Sequence, residues 1–154
     1  MSLVNPDVYI RRQKLRRLFE TEFQKINTNI ANVLTSLNIS ERYHVKYHPH
    51  FLDRVVQREI EEQHVFDLFN RLPEHSREVI EFLRMPALPA VEESIDPNIE
   101  YRPLRLEITD GTLWLGMTVN LHEENATSFG LNCRMGFINS SRLKGKISTK
   151  VIKV

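Results

Sequence analysis

Residues 105–119 read RLEITDGTLWLGMTV. Two apolar-rich runs flank Asp110-Gly111, a dipeptide suited to a tight reversal, so the stretch predicts a β-hairpin. Leu113, Leu115, Met117, Val119 and Leu121 alternate into one row. Leu104, Leu106 and Ile108 match it, as do Leu131, Cys133, Met135 and Phe137 of the run LNCRMGFIN (residues 131–139). Such a row predicts a sheet face buried under other elements. The opposite row carries Arg105, Glu107, Trp114, Asn132, Arg134 and Gly136. A tryptophan between arginines, with glycines nearby, suits base stacking and phosphate contact. A loop or the C-terminal tail lying over Trp114 would produce the same pattern.

Upstream, the pattern is helical. Asn5-Pro6-Asp7 supplies a cap residue, a proline at the first helical position and an acid at the positive end of the dipole. Phe19, Phe23, Ile26, Ile30, Val33 and Leu37 follow at spacings of three and four, predicting a helix over residues 6–37. RYHVKYH (42–48) alternates like a short half-buried strand, and Pro49 ends it. In HFLDRVVQRE (50–59), Phe51, Leu52, Val55 and Val56 share one helical side, while His50, Arg54, Gln57 and Arg58 share the other. A second short helix carries Val65, Phe66, Leu68, Phe69 and Leu72, closed by Pro73. EVIEFLR (78–84) reads as a strand, and a proline- and acid-rich loop follows it. The expected fold is α+β in one domain, residues 1–154. A long N-terminal helix and two short helices pack on an antiparallel sheet of about four strands.

Composition narrows the function. The net charge of +1 hides a segregation: RRQKLRR (11–17) has five positive charges and no acid, and residues 134–154 add six more. Basic clusters at both ends suit a polyanion partner, although charge runs also occur as plain solvated faces. A single cysteine, Cys133, cannot form an internal disulfide, as suits a reducing cytoplasm. No long apolar run predicts a membrane span, and MSLVNPDVYI lacks the layout of a secretory signal.

His44, His48 and His50 crowd into YHVKYHPHFLDR (43–54). His44 and His48 share a strand face, but His50 lies beyond a proline and a change of direction. With no acid at a useful spacing, a metal site is not predicted. His44 and His48 read as exposed strand residues. His50 belongs to the first turn of the next helix, where unpaired backbone N–H groups attract anions. There an imidazole can serve as a general base on a phosphate ester, and Arg54, one turn on, can neutralise phosphate charge. The plainer alternative is a surface histidine with Arg54 in an ion pair.

Four blocks, VYIRRQKLRRLFETEF (8–23), YHVKYHPHFLDRVVQREI (43–60), YRPLRLEITDGTLWLGMTV (101–119) and NCRMGFINSSRLKGK (132–146), together resemble the RegB family. These are the early site-specific endoribonucleases of T-even bacteriophages, similar in fold to the RelE/YoeB mRNA-cleaving toxins. The resemblance implies cleavage of single-stranded early phage mRNA within GGAG at translation-initiation regions. The implied chemistry needs no metal or cofactor: the ribose 2′-hydroxyl attacks the adjacent phosphate, leaving a 2′,3′-cyclic phosphate. It further implies a monomer in the host bacterial cytoplasm, stimulated by a ribosomal protein of the small subunit, with no membrane partner. His50 and Arg54 match the family's functional histidine and arginine. The family's second histidine follows VFxLF, and here that position is Asn70. An amide does not exchange protons near neutrality, so a two-histidine mechanism does not carry over. Asn70 is expected to orient the phosphate, leaving departing-group protonation to water, Lys46, His48 or His64. Lys46, Arg105, Trp114 and Arg134 are the expected RNA contacts. Two other functions fit the same sequence: an RNA-binding translational repressor with weak or no cleavage, and a protein-interaction module built on the first helix.

Overall fold

The first helix runs Pro6–Ser36 (α1), with the Asn5 side chain accepting the Asp7 N–H at 3.0 Å as its cap. Its buried stripe is Leu15, Phe19, Phe23, Ile26, Ile30 and Leu34, so Leu34 takes the place expected for Val33 and Leu37. The computed structural model describes residues 5–120, 127–138 and 148–154. Leu121 and residues 139–147 of the basic tail lie outside the described residues. After α1 come β1 (Arg42–Tyr47), α2 (Pro49–Gln57), α3 (Glu62–Arg71), a 3-10 turn at Leu72–His75 and α4 (Ser76–Arg84). The second half supplies β2 (Arg105–Thr109), β3 (Leu113–Asn120), β4 (Ser128–Ile138) and β5 (Thr149–Lys153).

The strands form one five-stranded sheet in the order β1-β4-β3-β2-β5. The inner pairs, β2 with β3 and β3 with β4, are antiparallel as expected. The outer pairs, β1 with β4 and β2 with β5, are parallel, so the sheet is mixed. The fifth strand comes from the basic tail, where Ile152 aligns with Ile108 and is buried beside it. The helices cover one face around Phe19, whose ring meets Phe23, Tyr47, Phe51 and Phe66 at centroid separations of 5.6, 5.3, 5.9 and 4.9 Å.

Two expectations are corrected. EVIEFLR is not a strand: it belongs to α4, which buries Ser76, Val79, Ile80, Phe82 and Leu83 on one side. A short apolar run fits either period, and the Ser76 start completes the helical one. The second correction concerns β4, where Gly116 pairs with Met135 but Met117 pairs with Cys133. Arg134 is therefore an extra, bulged residue, and the rows exchange faces beyond it. Phe137 pairs with Trp114 on the face away from the helices, while Gly136 turns towards them. A side chain at Gly136 would meet Phe51 at 3.1 Å and Ile60 at 3.2 Å, so the glycine eases the close approach of α2. The hairpin forms as expected, with Gly111 at φ 100°, but Thr109 pairs with Trp114 across a four-residue loop. The Asp110 carboxylate spans that loop, accepting the N–H groups of Thr112 and Leu113 at 2.9 and 3.0 Å.

Polar links pin the helices to the sheet. Ser76 Oγ donates to Pro73 O at 2.8 Å and therefore accepts from the Tyr43 hydroxyl, also 2.8 Å away and buried. Removing Ser76 Oγ strands a buried phenol, so Ser76→Ala is expected to cost about 1–3 kcal/mol. Tyr43→Phe combined with Ser76→Ala should cost less than the two separate losses summed, as equilibrium unfolding in urea would measure. Arg84 embraces the Glu41 carboxylate, Nη2 to Oε1 at 2.9 Å with Nε on the other oxygen, and this holds Glu41 down at about 2. Burial raises Asp110, but the His64 hydrogen bond and the Leu113 and Thr112 N–H groups outweigh it, bringing Asp110 to about 2. Both folded values lie below the ordinary 4.5 and 3.8, so both contributions are present above pH 4.5 and are lost as pH falls towards 2. Unfolding free energy should fall across that window, and less steeply in Asp110→Asn.

Candidate active site

The strand β1 ends where its ladder with β4 ends: the His48 N–H donates to Cys133 O at 2.8 Å, and Pro49 follows. His48 is not a strand-face bystander. It is the cap of α2, its Nδ1 accepting the His50 N–H at 3.2 Å. The sequence signal was present, since a polar residue before a proline repeats the Asn5-Pro6 pattern. Because Nδ1 is an acceptor, the neutral His48 ring carries its proton on Nε2. Burial, the Arg134 guanidinium and His50 together lower its pKa from the ordinary 6.5, which keeps that tautomer neutral. The rings of His48 and His50 stack, with centroids 4.9 Å apart and planes within 21°.

The His50 side chain is 75% exposed, and its Nδ1 lies 3.8 Å from Asp53 Oδ2. Asp53 is anchored in turn by Arg12 Nε at 3.1 Å. The basic cluster of α1 thereby reaches the histidines. A cleft of about 580 Å³ beside them is lined by Arg12, Arg16, Glu20, Tyr47, Pro49 and Leu52. Neither Arg12 nor Asp53 stood out in the sequence as a site residue, because their i, i+41 contact exists only after folding. Arg54 is half-buried on α2, and its side chain makes no hydrogen bond or ion pair among the described residues.

Arg134, pushed outward by the bulge, donates from Nε to Thr118 Oγ1 at 3.0 Å and sits beside His48. Across the same face run Lys46, Asn132, Thr118 and Arg105 in register, with Trp114 nearer the hairpin. Gly130 makes room for this row: a side chain there would meet Lys46 Cε at 3.2 Å and His44 Nε2 at 3.4 Å. Lys46, Arg105, Trp114 and Arg134 thus share one side of the sheet. The same face holds two buried polar atoms with no hydrogen-bond partner, Glu107 Oε2 and Asn132 Oδ1. Burial raises the Glu107 pKa, with Arg105 acting weakly the other way.

Asn70 is exposed near the end of α3, with no side-chain hydrogen bond among the described residues. His64 Nε2 donates to the Asp110 carboxylate at 2.7 Å. Among the described residues no three His, Cys, Asp or Glu side chains converge as a metal site, and no helix is long and apolar enough to cross a membrane. The arrangement sets a stacked imidazole pair beside Arg134, with an uncharged N–H donor on His48 next to the exposed ring of His50. The lowered His48 pKa is testable by NMR: its ring should titrate below the ordinary 6.5, and Arg134→Gln should move that midpoint upward.

A family model described as "T4-page Endoribonuclease RegB" matches residues 4–153. Endoribonuclease RegB of Enterobacteria phage T4 is 51% identical over 150 residues, covering 97% of both chains. The solution structure of the phage T4 endoribonuclease RegB superposes with a TM-score of 0.66 at 49% identity, covering 96% of this chain and 95% of that one. Histidine pair, basic cleft and sheet therefore occur in a chain that belongs to the RegB family of endoribonucleases.

Proposed function

We propose that this endoribonuclease cuts single-stranded early phage mRNA within GGAG at translation-initiation regions, by metal-independent transphosphorylation in the host bacterial cytoplasm. The observation that carries the reading is the stacked His48–His50 pair at the start of α2, flanked by Arg134 and by the Arg12–Asp53 pair. His50 acts as general base through Nε2, with Asp53 tightening on Nδ1 when substrate is bound. The 2′-hydroxyl loses its proton to His50 as its oxygen bonds to phosphorus, and the bond to the 5′-oxygen breaks. His48 donates its Nε2–H to a phosphate oxygen without transferring the proton, and Arg54 and Arg134 neutralise the developing charge. Asn70 contributes a hydrogen bond to the phosphate. With His64 committed to Asp110, the departing oxygen takes its proton from water or from Lys46. Lys46, Arg105, Trp114 and Arg134 hold the RNA strand across the sheet face. The chain acts as a monomer, and a ribosomal protein of the small subunit stimulates it by presenting the mRNA.

A GGAG-containing RNA incubated with EDTA tests this reading. Cut products ending in a cyclic phosphate are expected, and shifted but intact RNA would instead mark a repressor. His50→Ala should slow cutting by about 10²–10⁴-fold, the range of one acid–base group. Asn70→His should raise the rate and add a second limb to the pH–rate profile. Equal cutting by wild type and His50→Ala would remove His50 from the mechanism.

A further inference from the structure

A second feature lies just before β2, on the stretch that leads into that strand. Arg102 is 9% exposed, and its Nε has no hydrogen-bond partner. Its Nη2 reaches Met85 O at 3.1 Å, and its guanidinium lies over the Phe129 ring at 5.9 Å. It forms no ion pair with a carboxylate among the described residues. A buried guanidinium without a counter-ion is costly, and burial alone lowers the pKa of this one. Arg102 lines a cavity of about 180 Å³, walled by the apolar Ala87, Leu88, Pro103, Leu104 and Val119. Thr118 completes the wall, and its hydroxyl is the group that Arg134 holds at 3.0 Å. The cavity is therefore connected to the histidines through Thr118, Arg134 and His48.

We infer that this cavity is a base-reading slot for a guanine of the RNA substrate, close along the strand from the cleaved phosphate. The volume is below that of sites for drug-sized ligands and suits a single flat base. Apolar walls favour a base over a hydrated phosphate. An arginine edge offers two parallel donors, and guanine O6 and N7 present two matching acceptors. Adenine presents an amino donor where guanine has O6, and so leaves one arginine donor facing another. The Arg102 main chain is engaged elsewhere, where its N–H donates to Pro86 O at 2.8 Å and closes the neck of the 86–102 loop. The slot rests on the reading that RNA is cut beside His50, which cutting by His50→Ala decides independently.

The experiment pairs variants of Arg102 with RNAs carrying 7-deazaguanine or inosine at each guanine in turn, reading kcat/KM for cleavage. In the wild type, 7-deazaguanine at one position should lower kcat/KM by roughly 5- to 150-fold, while inosine, which keeps O6 and N7, should not. In Arg102→Met that penalty should vanish at the same position. Ala87→Phe, which fills the slot from its rim and leaves Arg102 in place, should erase it too and guards against misfolding of Arg102→Met. An equal 7-deazaguanine penalty in wild type and both variants overturns the slot. So does a uniform loss across all RNAs with a shallower salt dependence, which would make Arg102 a phosphate contact.

Discussion

The site depends on where the parallel ladder of β1 with β4 stops. Its last rung is the His48 N–H on Cys133 O, and Pro49 has no N–H to continue it. The chain must turn there, and the turn is made by His48 itself, whose Nδ1 caps the helix that begins at Pro49. One residue thus ends a strand through its main chain, and its side chain starts a helix and lies against the ring of His50. The cap also sets its chemistry. A ring nitrogen occupied as an acceptor leaves only the other to face a substrate, as a donor.

The bulge at Arg134 is the second constraint. An extra residue in β4 pushes one arginine out beside His48 and sends Gly136 under α2, where a side chain would press on Phe51 and Ile60. Without that shift, Met135 and Phe137 would point into the helical layer and α2 could not approach the sheet. Arg58 secures the arrangement from the helix end, donating to Gly136 O at 2.6 Å with its guanidinium 4.3 Å from the centre of the Phe137 ring. A single irregularity therefore positions both the helix carrying His50 and the arginine facing it.

Charge is paired at the links between elements, and some polar groups elsewhere are left without a partner. Glu41 with Arg84 and Asp110 with His64 tie helices to the sheet, and each holds a carboxylate near 2. Arg54 has no such partner among the described residues, and Arg102 and Glu107 keep buried polar atoms unsatisfied. Such atoms destabilise the free protein, and binding a polar ligand would relieve that cost.

Local periodicity determined most of the elements. The spacing of Phe19, Phe23, Ile26 and Ile30 sets α1, and the alternation of Tyr43 and Val45 sets β1. Asp110-Gly111 sets the hairpin, and Pro49 marks the start of the helix that carries His50 and Arg54. These are properties of neighbours in the chain, so the sequence carries them. EVIEFLR misled because seven residues fit two periods, and the burial of Ser76 against Tyr43 decided between them. The face exchange beyond Arg134, the parallel outer pairings and the meeting of Arg12 with Asp53 beside His50 are long-range events. Each depends on which strands are adjacent and on how much room a facing side chain leaves, quantities that exist only once the layers pack.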